Sequence, residues 1–144
     1  MGLPVELKAG AILPELKKTV TQADISLYAR ASRDFNPIHI DPEFAKKTPL
    51  GGTIAHGMLI LAYVSQMLTD AFGIEWLTGG RLDLRFKAPA RPGDTVTVSG
   101  VVAAVQDVGG ARLVSINVDC RNQKDETVIT GEASVRVSSR ENRI

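Results

Sequence analysis

The chain reads as an α+β fold in which a curved antiparallel sheet of about five strands wraps around one long central helix. Three features predict it. Apolar residues recur at three- and four-residue steps from Ala55 to Phe72, the helix-forming segments precede the strand-forming ones, and from Leu82 onward the apolar period changes to two. Helices that lead and strands that follow tend to form separate layers, and a helix apolar beyond one stripe needs cover on several sides.

Leu13 to Val20 is expected to form an edge strand. Thr21-Gln22-Ala23-Asp24 is a variant capping box, with Thr21 as N-cap and Asp24 at the third helical position, so a helix should run from about Ala23 to Ser32. Its apolar residues Ile25, Leu27, Tyr28, Ala29 and Ala31 give one broad buried face. The helix must stop near Asp34, because Asn36 precedes Pro37 and is pushed toward extended backbone. Asp34 and His39 then become loop residues facing a common space. Asp41-Pro42 offers a second cap with Pro42 at the first helical position, and Phe44 to Lys47 supplies a short turn before Pro49, Gly51 and Gly52 break it.

After the long helix, Leu82, Leu84 and Phe86 alternate with Asp83, Arg85 and Lys87; Val96 and Val98 continue toward Val105; Val114 to Cys120 and Ile129 to Val137 alternate in the same way. The neighbourhood of Val128 is less regular. Gly93-Asp94 and Gly109-Gly110 supply turns. Cys120 is the only cysteine, so no intrachain disulfide is possible, and it continues the apolar face of its strand as core packing rather than as a nucleophile. The polar tail from Ser138 to Ile144 is expected to fray.

A chain of 144 residues fits one domain spanning 1–144. A globule of that size buries about 68 to 70% of its unfolded surface, enough for a full core. Seventeen basic residues nearly cancel sixteen acidic ones, which argues against a nucleic-acid partner. The start lacks a basic stretch followed by an apolar one, and no apolar run reaches membrane-spanning length; a soluble, cytoplasmic protein without a membrane partner is expected.

The chemistry gathers in two segments. In Ser32-Arg33-Asp34-Phe35-Asn36-Pro37-Ile38-His39 a carboxylate and an imidazole lie five residues apart, and an imidazole beside a carboxylate can move protons near neutrality. In Ile54-Ala55-His56-Gly57-Met58-Leu59 a glycine stands where the long helix begins. Helix starts leave N–H groups without intrahelical partners, and Gly57 lets a ligand oxygen approach closely. An oxyanion donor of that kind contributes about 3 kcal/mol in a transition state. An Asp before Asn-Pro is also a common plain turn, and Asn36 either orients that loop or meets a substrate group. Leu59 and Tyr63, with Met58 and Met67, either line an acyl pocket or are ordinary core. Lys87, Arg91 and Arg85 either meet cofactor phosphates or form a solvated strand face. His56 tempts a metal reading with His39, Asp34 and Asp41, but no close ligand spacing supports it. No metal and no cofactor is expected.

Asp34-Phe35-Asn36-Pro37-Ile38-His39-Ile40-Asp41-Pro42-Glu43-Phe44-Ala45, followed by Ala55-His56-Gly57-Met58-Leu59, resembles the signature of the MaoC-like hotdog dehydratases and (R)-specific enoyl-CoA hydratases. The resemblance extends through Pro92-Gly93-Asp94 and Thr130-Gly131-Glu132-Ala133. It implies a hotdog fold and hydration of a trans-2-enoyl-CoA to an (R)-3-hydroxyacyl-CoA, or the reverse dehydration. It also implies that Asp34 and His39 activate water, that the Gly57 N–H polarises the thioester carbonyl, and that Ser65 occupies the place of a helix serine near the catalytic carboxylate. The implied partners are an acyl-CoA or acyl-carrier-protein thioester and a second copy in a homodimer, in fatty-acid metabolism or polyhydroxyalkanoate precursor supply. Many members carry Gly before the Asp, where this chain has Arg33. The competing readings are a 3-hydroxyacyl-[acyl-carrier-protein] dehydratase, a hotdog thioesterase, and a noncatalytic subunit of a heterodimeric dehydratase; the retained Asp34 and His39 argue against the last two.

Overall fold

A computed structural model describes residues 5–138. Its elements run β1 (Leu16–Thr19), α1 (Gln22–Ser32), α2 (Pro37–Ile40), α3 (Pro42–Lys46), α4 (Gly57–Phe72), α5 (Ile74–Gly79), β2 (Gly80–Phe86), β3 (Thr95–Val108), β4 (Ala111–Arg121) and β5 (Thr127–Ser138). The five strands form one antiparallel sheet in the order β1-β3-β4-β5-β2. The expected α+β architecture is therefore present, with the long helix on the apolar face of the sheet.

Period-two alternation sends Val96, Val98 and Val102 of β3, Val114, Ile116, Val118 and Cys120 of β4, and Ala133, Val135 and Val137 of β5 inward. They pack with Leu59, Ile60, Val64, Met67, Leu68, Ala71 and Phe72 of α4 in one continuous cluster. Cys120 lies in that cluster, wholly buried. The irregularity near Val128 is a register shift in the β4–β5 ladder, where Arg121 faces Thr127 and Cys120 faces Ile129. Its carbonyl then accepts the N–H of Lys87 at 2.8 Å, fixing the chain just beyond β2.

Several expectations change. The edge strand is shorter than Leu13–Val20: it holds only Leu16–Thr19, with an isolated bridge from Ile12 to Val101, because Pro14 has no N–H to offer a ladder. Helix α1 buries Ile25 and Ala29, but Leu27 and Ala31 are exposed on its other side. The Gly93-Asp94 turn leads into β3 without joining it to β2, since β2 pairs with β5; Gly109-Gly110 does close a tight hairpin between Val108 and Ala111, both glycines having positive φ. The short helix α5 follows Gly73, whose positive φ ends α4, and it buries Trp76. Among the described residues no helix is long and apolar enough to cross a membrane. Of the tail expected to fray, residues 139–144 lie outside the described residues.

Candidate active site

The site is assembled by the end of α1, the single turn α2 and the start of α4. Thr21 caps α1 by accepting the Asp24 N–H at 3.1 Å, and the helix closes on Arg33 in the left-handed region, φ 64° and ψ 19°. A side chain in that conformation costs roughly 1 kcal/mol relative to glycine. Beyond it, Asp34 Oδ1 accepts the Asn36 N–H at 3.2 Å, and Asn36 Oδ1 accepts the Ile38 N–H at 3.2 Å. Asn36 is thus an N-cap with extended ψ of 128°, and Pro37 starts the next helix. Its side-chain oxygen is used locally.

One turn later His39 points inward, 8% exposed, so it is a helical residue and not the loop residue expected. A proline at the first helical position tolerates helix after it, which the reading of Asn36-Pro37 as a breaker overlooked. Gln22 anchors this turn. Its Nε2 donates to the His39 carbonyl at 2.9 Å, and its Oε1 accepts the Thr53 hydroxyl at 2.8 Å.

His39 Nδ1 lies 2.7 Å from the Ile54 carbonyl oxygen. A carbonyl only accepts, so Nδ1 carries the proton and Nε2 of the neutral ring keeps a lone pair. That lone pair lies on the side of Asp34, whose Oδ2 is 4.0 Å away. The carboxylate is about half exposed whereas the imidazole is buried, so the pair spans the boundary between solvent and interior.

His56, 3% exposed, is the N-cap residue of α4; its Nε2 meets the Asp34 carbonyl at 3.0 Å, and its ring stacks on His39 with centroids 3.8 Å apart and planes 23° apart. Asp34, His39 and His56 therefore bring potential ligand atoms within 4.8 Å of one another. Each imidazole already gives one nitrogen to a main-chain carbonyl, and lone pairs held in near-parallel stacked planes do not converge on one ion. The three side chains form a hydrogen-bonded cluster with poor geometry for a metal centre.

Gly57 opens α4. Among the described residues the Gly57 and Met58 N–H groups have no acceptor, as expected at a helix start without a side-chain cap. A Cβ on Gly57 would stand 3.0 Å from Cε1 of Phe86, so the ring covers the space that the glycine leaves. Beside it is a mainly apolar cavity of about 350 Å³ lined by Ile54, Gly57, Ile60, Phe86, Pro89 and Val128, among others.

Asp34, His39, Asn36 and the start of α4 thus come together, while three other candidates stand apart. Leu59 is buried in the core, Tyr63 is half-buried with Lys18 Nζ 5.8 Å from its ring centre, and Ser65 Oγ accepts the Trp76 indole N–H at 3.1 Å. None of them lines the cavity at Gly57. Ser65 is eight residues beyond Gly57, about 12 Å along the helix, where the buried indole needs its oxygen. Burial, then the Asp24 carboxylate, pushes the Tyr63 phenol above its ordinary value. The exposed Met58 and the core residue Met67 likewise lie outside that lining. Sequence reasoning missed Gln22, the stacking role of His56, and Phe86, which alternation placed simply on a strand.

Residues 8–124 match the family model described as the MaoC like domain. The (R)-specific enoyl-CoA hydratase of Rhodospirillum rubrum is 36% identical over 125 residues, covering 87% of this chain and 85% of that protein. A solved structure described as the (R)-hydratase from Aeromonas caviae involved in PHA biosynthesis superposes with a TM-score of 0.78 at 31% identity, covering 92% of this chain and 98% of that one. A chain of the ChsH1-ChsH2 complex from Mycobacterium tuberculosis gives 0.75 at 31% identity, covering 94% and 100%. With the family model matched over most of its length, and relatives and solved structures that cover nearly all of it, the chain belongs to the MaoC-like family and has its hotdog fold.

Proposed function

We propose that this protein is a hydro-lyase that adds water to a trans-2-enoyl thioester to give the (R)-3-hydroxyacyl thioester, and catalyses the reverse dehydration. The observation that carries the reading is the pairing of Asp34 Oδ2 with His39 Nε2 at 4.0 Å while Nδ1 is tied to Ile54. At that spacing the two groups are not bonded to each other and both remain available to a water molecule. The pair takes one proton from water as the oxygen bonds to C3. Electron density moves to the thioester oxygen, where the free N–H at the start of α4 holds the enolate, and the pair returns a proton to C2. Atoms balance: one water is added across C2=C3. Acid-base help of this kind contributes roughly a hundred- to ten-thousand-fold. The mainly apolar cavity beside Gly57 suits the hydrocarbon part of such a substrate.

The site lies on one domain, and we infer that two copies pair through β2. Among the described residues that strand has a neighbour on one side only, and the exposed Phe86 is at its end, with Ile74 and Leu77 exposed on α5 just before it. Similarity to a chain of the ChsH1-ChsH2 complex makes a heteromeric partner the second reading. Mass measurement of the pure protein in solution separates the two: a dimer favours self-pairing, and a monomer that gains activity only with a second subunit favours the other.

The activity test is loss of enoyl-thioester absorbance when pure protein meets short trans-2-enoyl-CoA, followed by chiral analysis of the product. No turnover across a chain-length series, on coenzyme A and on acyl carrier protein, overturns the proposal. Release of free thiol from a saturated acyl-CoA would instead identify a thioesterase.

A further inference from the structure

We infer that His56 is a positioning residue that holds the acid-base pair and the oxyanion donor in one rigid triangle; the catalytic part of this inference rests on the function proposed above. Its Nε2–H donates to the main-chain oxygen of Asp34 at 3.0 Å, since a carbonyl only accepts. Its ring face lies on His39, centroids 3.8 Å apart, and Tyr28 of α1 tilts against it at 4.8 Å and 58°. Its own carbonyl belongs to the peptide unit that carries the Gly57 N–H. One residue therefore touches both members of the pair and is covalently joined to the donor.

The ring is built for one orientation. With the proton on Nε2, the buried Nδ1 is an acceptor without a partner. Turning the ring over would withdraw the donor from Asp34 and leave that carbonyl without its bond. A second proton on Nδ1 would find no acceptor there. The groups facing the ring are the main chain of Asp34 and its carboxylate, which has an oxygen within 4.8 Å of a ring nitrogen, the His39 imidazole on α2 and the Tyr28 ring on α1; the first turn of α4 contributes no acidic residue. His39 and His56 thus carry their protons on opposite nitrogens, Nδ1 and Nε2, each fixed by a different main-chain oxygen.

The experiment has two arms on the full chain. Nitrogen-detected NMR of the two imidazoles reads the tautomers without any substrate; opposite tautomers, with His56 protonated on Nε2, support the inference, and identical tautomers overturn it. The second arm compares His56→Gln, which keeps an N–H able to reach the Asp34 oxygen, with His56→Phe, which keeps the ring and lacks the donor. Misplacement of catalytic groups by about 1 Å costs on the order of a hundredfold, so Phe should lose about that in kcat with KM within about threefold, and Gln should recover most of it. Wild-type kcat in Phe, or Gln as impaired as Phe, overturns the role of the donor. An inactive wild type removes the proposed function, and the tautomers still decide the geometry.

Discussion

The imidazole of His39 gives its Nδ1 proton to the main-chain oxygen of Ile54 across 2.7 Å. The bond fixes the ring on the segment that leads into α4, and it separates two tasks that one side chain performs. Nδ1 holds structure, and Nε2 is the nitrogen that serves the reaction proposed above.

His39→Asn can keep a donor near the Ile54 oxygen while deleting Nε2, and Asp34→Asn keeps shape while removing the carboxylate. Both should lose at least about a hundredfold in hydratase turnover and retain the melting transition of the parent. Coupled absorbance assays and calorimetry on the same preparations check this; parental turnover in either variant removes that residue from the mechanism.

Gly57→Ala isolates the oxyanion donor. The new methyl meets the flexible, half-exposed ring of Phe86 at 3.0 Å, and alanine suits a helix better than glycine, so stability should change by less than about 1 kcal/mol. Turnover should fall, because the methyl occupies the approach to the N–H. An unfolding free energy lowered by several kcal/mol in denaturant titration would show that the backbone, and not substrate access, needs the glycine.

Ser65→Ala tests a residue whose oxygen serves the Trp76 indole. Leaving that N–H without its acceptor should cost about 1 to 3 kcal/mol, visible as a lower denaturant midpoint. KM and kcat should stay near parental values. A change in KM with unchanged stability would return Ser65 to the substrate.

Arg33→Gly should stabilise the protein by roughly 1 kcal/mol, since glycine adopts the observed φ of 64° without the steric cost of a side chain. Chemical denaturation measures it directly. Destabilisation would mean that the Arg33 side chain makes a stronger contribution than its backbone strain removes.

Burial, reinforced by the Asp119 carboxylate, pushes the Cys120 thiol up to about 12 from an ordinary 9.0. The native thiol should therefore ignore disulfide reagents at pH 8 and react in full once the chain is unfolded. Because the folded value lies above the unfolded one, the contribution of the neutral thiol to stability is complete below about pH 9 and is lost as pH rises toward 12. Thermal melts of the parent and of Cys120→Ala should converge over that window; a constant difference would refute the linkage.

The periodic elements were readable because single residues announce them: the three- and four-step apolar repeat gives α4, and alternation gives β2 to β5. Asp34, His39 and Gly57 could be placed near one another because Asn36-Pro37 and the helix start constrain the backbone locally. What escaped depends on contacts distant in sequence. Ser65 could not reveal that Trp76 would claim its hydroxyl, Gln22 gave no sign of reaching His39 and Thr53, and β2 could not announce that it would skip β3 for β5. His56 was visible as a residue, yet its stacking on His39 exists only once α2 and α4 meet.

The sheet order has a consequence for synthesis. Among the described residues β5 is the last strand to be synthesised, yet it lies between β4 and β2 and is the only strand paired with β2. Phe86, at the end of β2, covers Gly57. A chain that stops before Thr127 contains every residue of the acid-base pair and of the oxyanion donor, but its β2 has no strand to join. Such a chain leaves the β4 edge bare, a row of unpaired N–H and C=O groups open to pairing with another strand.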